Sequence, residues 1–181
     1  MKILGNIANQ LSILRIFLVV PLYFLVKDYH IFGSSILLIL IVLSDVLDGY
    51  FARKLNSQGL FGKVLDHGVD KVVSIFISFM LYRYFGLPSW AFYFFVGRDL
   101  LILLFGAGIL FGFKVAFGSL WIGKVAGGFY FAMAFAYLLN FSEVANVLMI
   151  ISVALFLVVL LVYTVKFFPT LKESIMRKEE S

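Results

Sequence analysis

The sequence contains no cysteine, only two histidines among 181 residues, and three prolines. The lack of cysteine excludes disulfides and metal sites built from thiolates. Charged residues are also scarce at 14%, against about a quarter in a typical soluble domain. The chain is instead 63% hydrophobic, with a mean hydropathy of +1.07. This composition predicts an integral membrane protein, and we expect no nucleic-acid partner.

Long apolar runs separated by short polar connections predict six transmembrane helices, with about 20 residues needed for each span. The N-terminus lacks the basic and cleavable segments of a signal peptide, so we expect none to be removed. No repeat or composition break divides the chain, which predicts a single domain over residues 1–181. The predicted spans are about Leu11–Val26, Ile31–Arg53, Leu60–Tyr84, Pro88–Gly112, Ser119–Phe141 and Val144–Phe168.

The two ends of the chain have their own patterns. In residues 1–10, amide side chains interleave with apolar ones, which suits a short amphipathic segment in the membrane interface or a frayed helix start. At the other end, Pro169 is predicted to end the last helix and leave residues 169–181 as a polar cytoplasmic tail. The fold predicted is therefore an all-α, six-span membrane bundle with an N-terminal interfacial segment. In the fifth span, small residues predict close helix contact, namely Gly123, Ala126, Gly127 and Gly128.

The basic residues of the short connections are unevenly distributed. With six spans, nine of them fall on one side of the membrane and only Lys27 and Arg83 on the other. Since basic residues are retained on the cytoplasmic side, both termini and the connection 54–59 are predicted to face the cytoplasm from the cell membrane.

Four aspartates lie close together between these apolar segments. An ionised carboxylate at membrane depth costs roughly 2.5 to 3.5 kcal/mol, so four of them require a compensating partner. Residues three, four and seven apart share a helix face, so each of the two helices presents a stripe of carboxylates. Oxygen donors of this kind favour Mg²⁺ or Mn²⁺. The aspartates are Asp45, Asp48, Asp66 and Asp70.

Small residues on the same faces leave room beside such a metal. Arg53 adds a forked donor suited to a phosphate group. Together these features predict a site for a phosphorylated, nucleotide-containing substrate at the membrane surface. The alternative from a different class is a small cation transporter with a pathway lined by the aspartates, although paired inverted halves are not visible. The small residues are Gly49, Ala52 and Gly62.

The arrangement resembles the CDP-alcohol phosphotransferase family, also called the class I CDP-alcohol phosphatidyltransferases. The family signature D-x2-D-G-x2-A-R-x8-G-x3-D-x3-D matches this chain from Asp45 to Asp70 at every position and spacing. The run that starts at Asn9 is also similar to the N-x-L-[ST]-x-x-R segment that precedes the first span in many members. The resemblance implies transfer of a phosphatidyl group from CDP-diacylglycerol to an alcohol, with release of CMP, by a homodimer among membrane lipids.

By the same resemblance, the four aspartates hold one or two divalent ions, and Asp70 also deprotonates the acceptor hydroxyl. Whether Asp70 is base, ligand or both is left open. The residues implied in binding the CDP-linked donor are Asn9, Leu11, Gly49, Ala52, Arg53, Gly59 and Gly62.

The acceptor is indicated by different residues. Asp70 followed by Lys71 is similar to the phosphatidylglycerophosphate synthase and cardiolipin synthase branch. Arg15, Arg98 and Lys124 are cations on three helices, and a pocket formed by them would suit an acceptor that carries phosphate, such as glycerol 3-phosphate. Alternatively, Arg98 pairs with Asp99 or Asp70 while Lys124 extends to the interface. Cardiolipin synthesis and inositol-phosphate transfer are the alternative activities within the family.

Overall fold

The computed structural model describes residues 2–55, 60–110 and 121–179, and within them the side chains of residues 14–47, 68–104, 121–162 and 165. This part of the chain forms six α-helices and contains no strand, so the all-α prediction is confirmed for it. The helices are α1 (Lys2–Lys27), α2 (Ile31–Leu55), α3 (Leu60–Tyr84), α4 (Ser89–Leu110), α5 (Trp121–Leu138) and α6 (Ser142–Glu179).

Two of the connections are tight turns with the same backbone geometry. After α1, Tyr29 has a φ of 54°, and the N–H of His30 donates to the carbonyl of Leu25 at 2.9 Å. After α5, Asn140 has a φ of 60°, and the N–H of Phe141 donates to Ala136 in the same way at 3.0 Å. Such caps satisfy the last carbonyls of a helix and reverse the chain within a few residues. They make α1 and α2, and likewise α5 and α6, antiparallel neighbours.

The core forms where these helix pairs meet. α1 packs against both α2 and α3, α3 packs against α4, and α5 makes its largest contact with α6. Smaller contacts of α2 and α3 with α5, and of α4 with α6, join the pairs into one bundle. Phe95 and Met133 are completely buried at its centre. Helix α1 therefore lies against the two helices that carry the aspartates.

The outer surface of the bundle is largely apolar. Phe32, Trp121 and Val165 are each more than three-quarters exposed. Some buried serines donate to a carbonyl one turn back in the chain, as Ser152 does to Leu148 at 2.8 Å. Within the described ranges, one segment, Ser142–Val162, is long and apolar enough to cross a membrane by the combined criterion of length and composition, and Ile31–Leu47 is a shorter apolar segment.

Three sequence expectations differ from the structure. α1 is continuous from Lys2, so residues 2–10 are not a segment separate from the first helix. The prediction that Pro169 ends the last helix was wrong, since α6 continues to Glu179. Proline removes one backbone hydrogen bond, whereas the following residues are mostly strong helix formers. Ala126 is fully buried as expected, but a Cβ added to Gly123, Gly127 or Gly128 would meet no atom of the described residues within 4 Å.

The packing of α5 leads to a stability prediction. Ala134 is completely buried, so Ala134→Leu should lower the free energy of unfolding by about 1–3 kcal/mol through overpacking. The matched control on the same helix is Gly127→Ala, which should leave stability unchanged or raise it by up to about 1 kcal/mol. Thermal unfolding in detergent, followed by tryptophan fluorescence, measures both. Equal effects of the two substitutions would contradict the described packing of α5.

Candidate active site

One arginine joins the three N-terminal helices. Arg15 of α1 is 1% exposed, and its Nη1 lies 3.1 Å from Oδ1 of Asp45 on α2. The same Nη1 also forms an ion pair with Oδ1 of Asp70 on α3. The two carboxylate side chains are 43% and 31% exposed, respectively. A buried guanidinium thus draws together two accessible carboxylates from α2 and α3. We call the four aspartates of these helices, Asp45, Asp48, Asp66 and Asp70, the aspartate motif.

Helix packing explains why these carboxylates converge. Asp45 and Asp70 occupy regular helical positions, and α1 contacts both of their helices, so a long side chain from α1 reaches both. Asp48 follows Asp45 by one turn of α2, and Asp66 precedes Asp70 by one turn of α3. The side chains of Asp48 and Asp66 lie outside the described residues.

The donor set of this site fits a hard divalent cation. Two carboxylates from different helices meet at one positive group, and carboxylate oxygens are the ligands that hard divalent cations prefer. Among the described side chains alone, no group of three acidic or histidine residues could hold a metal ion. If all four predicted ligands bind the cation, Asp48 and Asp66 add their carboxylates to those of Asp45 and Asp70.

A second set of charges lies beside the first, and we call Lys71, Arg98 and Asp99 the Asp99 cluster. Asp99 is completely buried, and its Oδ1 accepts hydrogen bonds from Nε of Arg98 at 2.9 Å and from Nη2 of the same residue. Nζ of Lys71 lies 3.5 Å from the same oxygen. The alternative in which Arg98 pairs with Asp99 is therefore confirmed for this structure.

Polar and aromatic groups from three helices surround Arg98. Its Nη2 lies 3.5 Å from Oγ of Ser74, and its Cζ lies 3.8 Å from the centre of the Phe156 ring. The hydroxyl of Tyr130 donates to the carbonyl of Ser74 at 2.9 Å. Since that hydroxyl has one proton, Ser78 donates its own to Tyr130 across 2.7 Å. These contacts tie α3 to α4 and α5, and α4 to α6, beginning one turn from Asp70.

The other predicted site residues are placed as follows. Lys124 is exposed in the first turn of α5, and Arg98 is 5% exposed in α4. Gly59 lies outside the described residues. The remaining residues predicted to bind the CDP-linked donor lie in helices, and their side chains are outside the described part of the chain. They are Asn9 and Leu11 in α1, Gly49, Ala52 and Arg53 in α2, and Gly62 in α3.

An apolar groove of about 210 Å³ lies between α2 and α5. Its α2 wall ends at Leu43, two residues before Asp45 in the sequence. It is open along much of its length and its lining is almost entirely apolar. The lining residues are Leu38, Ile39, Val42, Leu43, Phe131 and Phe135.

Asp99 and Tyr130 are polar site residues that sequence reasoning did not assign to the site. Asp99 offered a signal, because it is a charge inside an apolar run and follows an arginine that was singled out. Tyr130 offered none, because its hydroxyl meets Ser74 across 56 positions of sequence. Only the packing of α5 on α3 brings Tyr130 and Ser74 together.

Comparisons with known proteins identify the family of this chain. The family model described as CDP-alcohol phosphatidyltransferase matches residues 5–158. A CDP-diacylglycerol–glycerol-3-phosphate 3-phosphatidyltransferase of Aquifex aeolicus is 33% identical over 178 residues, which cover 90% of this chain and 96% of that protein. A protein of the same name from Mycoplasma pneumoniae is 33% identical over 103 residues, 44% of this chain and 45% of its own length.

A relative in Mycobacterium tuberculosis, whose name assigns it provisionally to cardiolipin synthesis, is 28% identical over 141 residues, 66% of each protein. The family match spans the whole aspartate motif together with Arg15, Arg98 and Asp99. This chain therefore belongs to the CDP-alcohol phosphatidyltransferase family.

Proposed function

We propose that this protein transfers the phosphatidyl group of CDP-diacylglycerol to glycerol 3-phosphate, which yields phosphatidylglycerophosphate and CMP. The single observation that carries the proposal is the meeting of Asp45 and Asp70 at Arg15, because it joins the two halves of the family motif in space. The near full-length similarity to the Aquifex aeolicus enzyme supports this choice of substrates.

The proposed chemistry is a displacement at phosphorus. Asp45, Asp48, Asp66 and Asp70 would hold one or two Mg²⁺ or Mn²⁺ ions, which neutralise charge on the donor pyrophosphate. Asp70 accepts the proton of the acceptor hydroxyl as its oxygen bonds to the lipid-bearing phosphorus. The bond from that phosphorus to the bridging oxygen breaks, and the oxygen leaves with CMP. The partial exposure of Asp70, at 31%, supports its access to a substrate hydroxyl.

The CDP-linked donor is proposed to lie along α2 and α3. The donor residues are Gly49, Ala52, Arg53 and Gly62, to which Asn9, Leu11 and Gly59 add on the side of α1. An acyl chain of the donor is proposed to occupy the apolar groove between α2 and α5, because the α2 wall of this groove ends two residues before Asp45 in the sequence. A lipid chain needs no polar partner there, which matches the apolar lining.

The acceptor is proposed to bind through the cations Arg15, Arg98 and Lys124. Nη1 of Arg98 is buried without a hydrogen-bond partner among the described residues, so it keeps a donor for a phosphate oxygen. Lys124 is exposed and can approach a soluble substrate from the aqueous side. A phosphorylated acceptor complements these charges better than a neutral alcohol does.

We further propose a membrane bundle of six spans, with the active site and both termini on the cytoplasmic side of the cell membrane. The exposed large apolar side chains and the uneven distribution of basic residues support this placement. A homodimer is proposed from the family resemblance. Helix α6, which contains the apolar segment Ser142–Val162, is the best supported of the spans.

The experiment is release of CMP by purified protein from CDP-diacylglycerol with Mn²⁺ and one acceptor at a time. We expect the highest kcat/KM with glycerol 3-phosphate, and omission of the divalent ion should abolish the reaction. Higher kcat/KM with phosphatidylglycerol would indicate a cardiolipin synthase, the activity suggested by the Mycobacterium tuberculosis relative. Higher kcat/KM with inositol phosphate would indicate an inositol-phosphate transferase. Absence of CMP with every acceptor would contradict the enzyme assignment and leave the cation transporter to be tested.

A further inference from the structure

We infer that Asp99 is a positioning residue for acceptor binding, because it holds Lys71 and Arg98 in place beside Asp70. The inference rests on the proposed function and adds a role for a residue that does not belong to the aspartate motif. Asp99 acts through the two cations and is not itself proposed to touch substrate.

The geometry gives Asp99 control over both cations. It is completely buried, and a single oxygen, Oδ1, is shared between Arg98 of its own helix and Lys71 of α3. Lys71 is 23% exposed, whereas Arg98 is 5% exposed. Because Asp99 lies deeper than Lys71, it draws the ammonium group inwards and keeps it close to the guanidinium.

The Asp99 cluster is joined directly to the candidate active site. Asp70 and Lys71 are consecutive residues of α3, where one meets Arg15 and the other meets Asp99. Ser74, one turn further along α3, receives Nη2 of Arg98 on its hydroxyl. A displacement of Asp99 would therefore move charges next to the residue proposed as base.

The contacts of Arg98 define which of its atoms remains for a ligand. Nε and Nη2 are directed to Asp99, and the Phe156 ring lies 3.8 Å from Cζ. Nη1 is left without a hydrogen-bond partner among the described residues. A guanidinium held on these sides has a fixed orientation, whereas a free arginine side chain would have to be ordered when substrate binds.

The charge of the Asp99 cluster also selects the class of acceptor. Two cations and one carboxylate leave an excess of one positive charge in a largely buried environment, where electrostatic interactions are stronger than in water. Without Asp99 the cations would repel each other and separate. Buried ion pairs add little to stability compared with apolar residues of the same size, so we assign the cluster to the placement of charge for an anionic acceptor.

The test compares Asp99→Asn and Asp99→Glu with wild-type protein in the CMP-release assay. For Asp99→Asn we expect KM for glycerol 3-phosphate to rise at least about tenfold, and KM for CDP-diacylglycerol to change less than about twofold. Asp99→Glu restores the negative charge, so its KM for glycerol 3-phosphate should return to within about threefold of wild type. Equal rises in both KM values, or no recovery with glutamate, would overturn the inference.

Two further proteins complete the design. Tyr137→Phe removes a buried hydroxyl that donates to Asn146 at 2.7 Å and has no described contact with the Asp99 cluster. This control should lower thermal stability without a selective change in either KM. If Asp99→Asn does not fold, Lys71→Gln replaces it in the test. This variant should show the same selective rise in KM for glycerol 3-phosphate. If the wild-type protein used only uncharged acceptors, both the proposed function and the role of Asp99 would be overturned. If the wild-type protein used glycerol 3-phosphate and the variants had unchanged KM values, the role of Asp99 alone would be overturned.

Discussion

Asp70→Asn is expected to lower kcat for CMP release by at least about a thousandfold, which is the largest effect that we predict for a single substitution. General-base catalysis alone contributes about 10²–10⁴-fold, and an amide neither accepts the proton of the acceptor hydroxyl nor supplies a full negative charge to a divalent ion. Asp70 is also paired with Arg15, so the substitution removes a carboxylate that this guanidinium contacts. Steady-state release of CMP measures the loss.

The matched control is Asp28→Asn, which removes an exposed carboxylate just after α1. This variant should keep wild-type kcat and KM, since none of the contacts in the described part of the chain joins Asp28 to the aspartate motif. Retention of more than about a tenth of wild-type kcat by Asp70→Asn would exclude Asp70 as the base.

The second large effect is expected for Arg15→Gln. Removal of a buried charged partner costs roughly 3–5 kcal/mol when the remaining charge is also buried. Asp45 and Asp70 are partly exposed, so a loss of about 2–4 kcal/mol and a fall in Tm of roughly 5–15 °C are more appropriate. Arg83→Gln, which changes an exposed arginine in the last turn of α3, should leave Tm nearly unchanged.

A divalent ion should partly reverse the effect of Arg15→Gln. Mn²⁺ bound between Asp45 and Asp70 would replace the lost positive charge, so it should raise Tm of this variant by more than it raises Tm of wild type. The measurement does not depend on turnover and therefore tests the metal site separately from the reaction. An equal rise in both proteins would argue against metal binding by these two carboxylates.

The aspartate motif shows how much of the site could be predicted from sequence. The spacing of Asp45 and Asp48, and of Asp66 and Asp70, places each pair on one face of a helix, because a helix turns by a fixed angle per residue. The all-helical character followed in the same way from long apolar runs, and the predicted starts of the second and third helices agree with α2 and α3.

The partners of Arg15 could not be predicted from the same pattern, whereas the pairing of Arg98 with Asp99 was one of the alternatives left open. Arg15 and Arg98 both looked like cations available for an acceptor phosphate, yet in the fold Arg15 meets two carboxylates and Arg98 meets Asp99. Such pairs depend on which helices are neighbours, and that is decided by the packing of whole apolar faces. The end of α6 was mispredicted for a local reason, since one proline did not outweigh the helix-forming residues after it.

The sequence by itself determined the family, the helical class of the fold and the four carboxylates of the motif, because these depend on residue type and on spacing along one helix. Only the tertiary structure decided that α1 contributes a guanidinium between α2 and α3, and that Asp99 organises a second pair of cations beside Asp70. The physical reason is the range of the interactions. Helix spacing is set within a few residues, whereas the ion pairs of Arg15 with Asp45 and of Lys71 with Asp99 join residues about 30 positions apart.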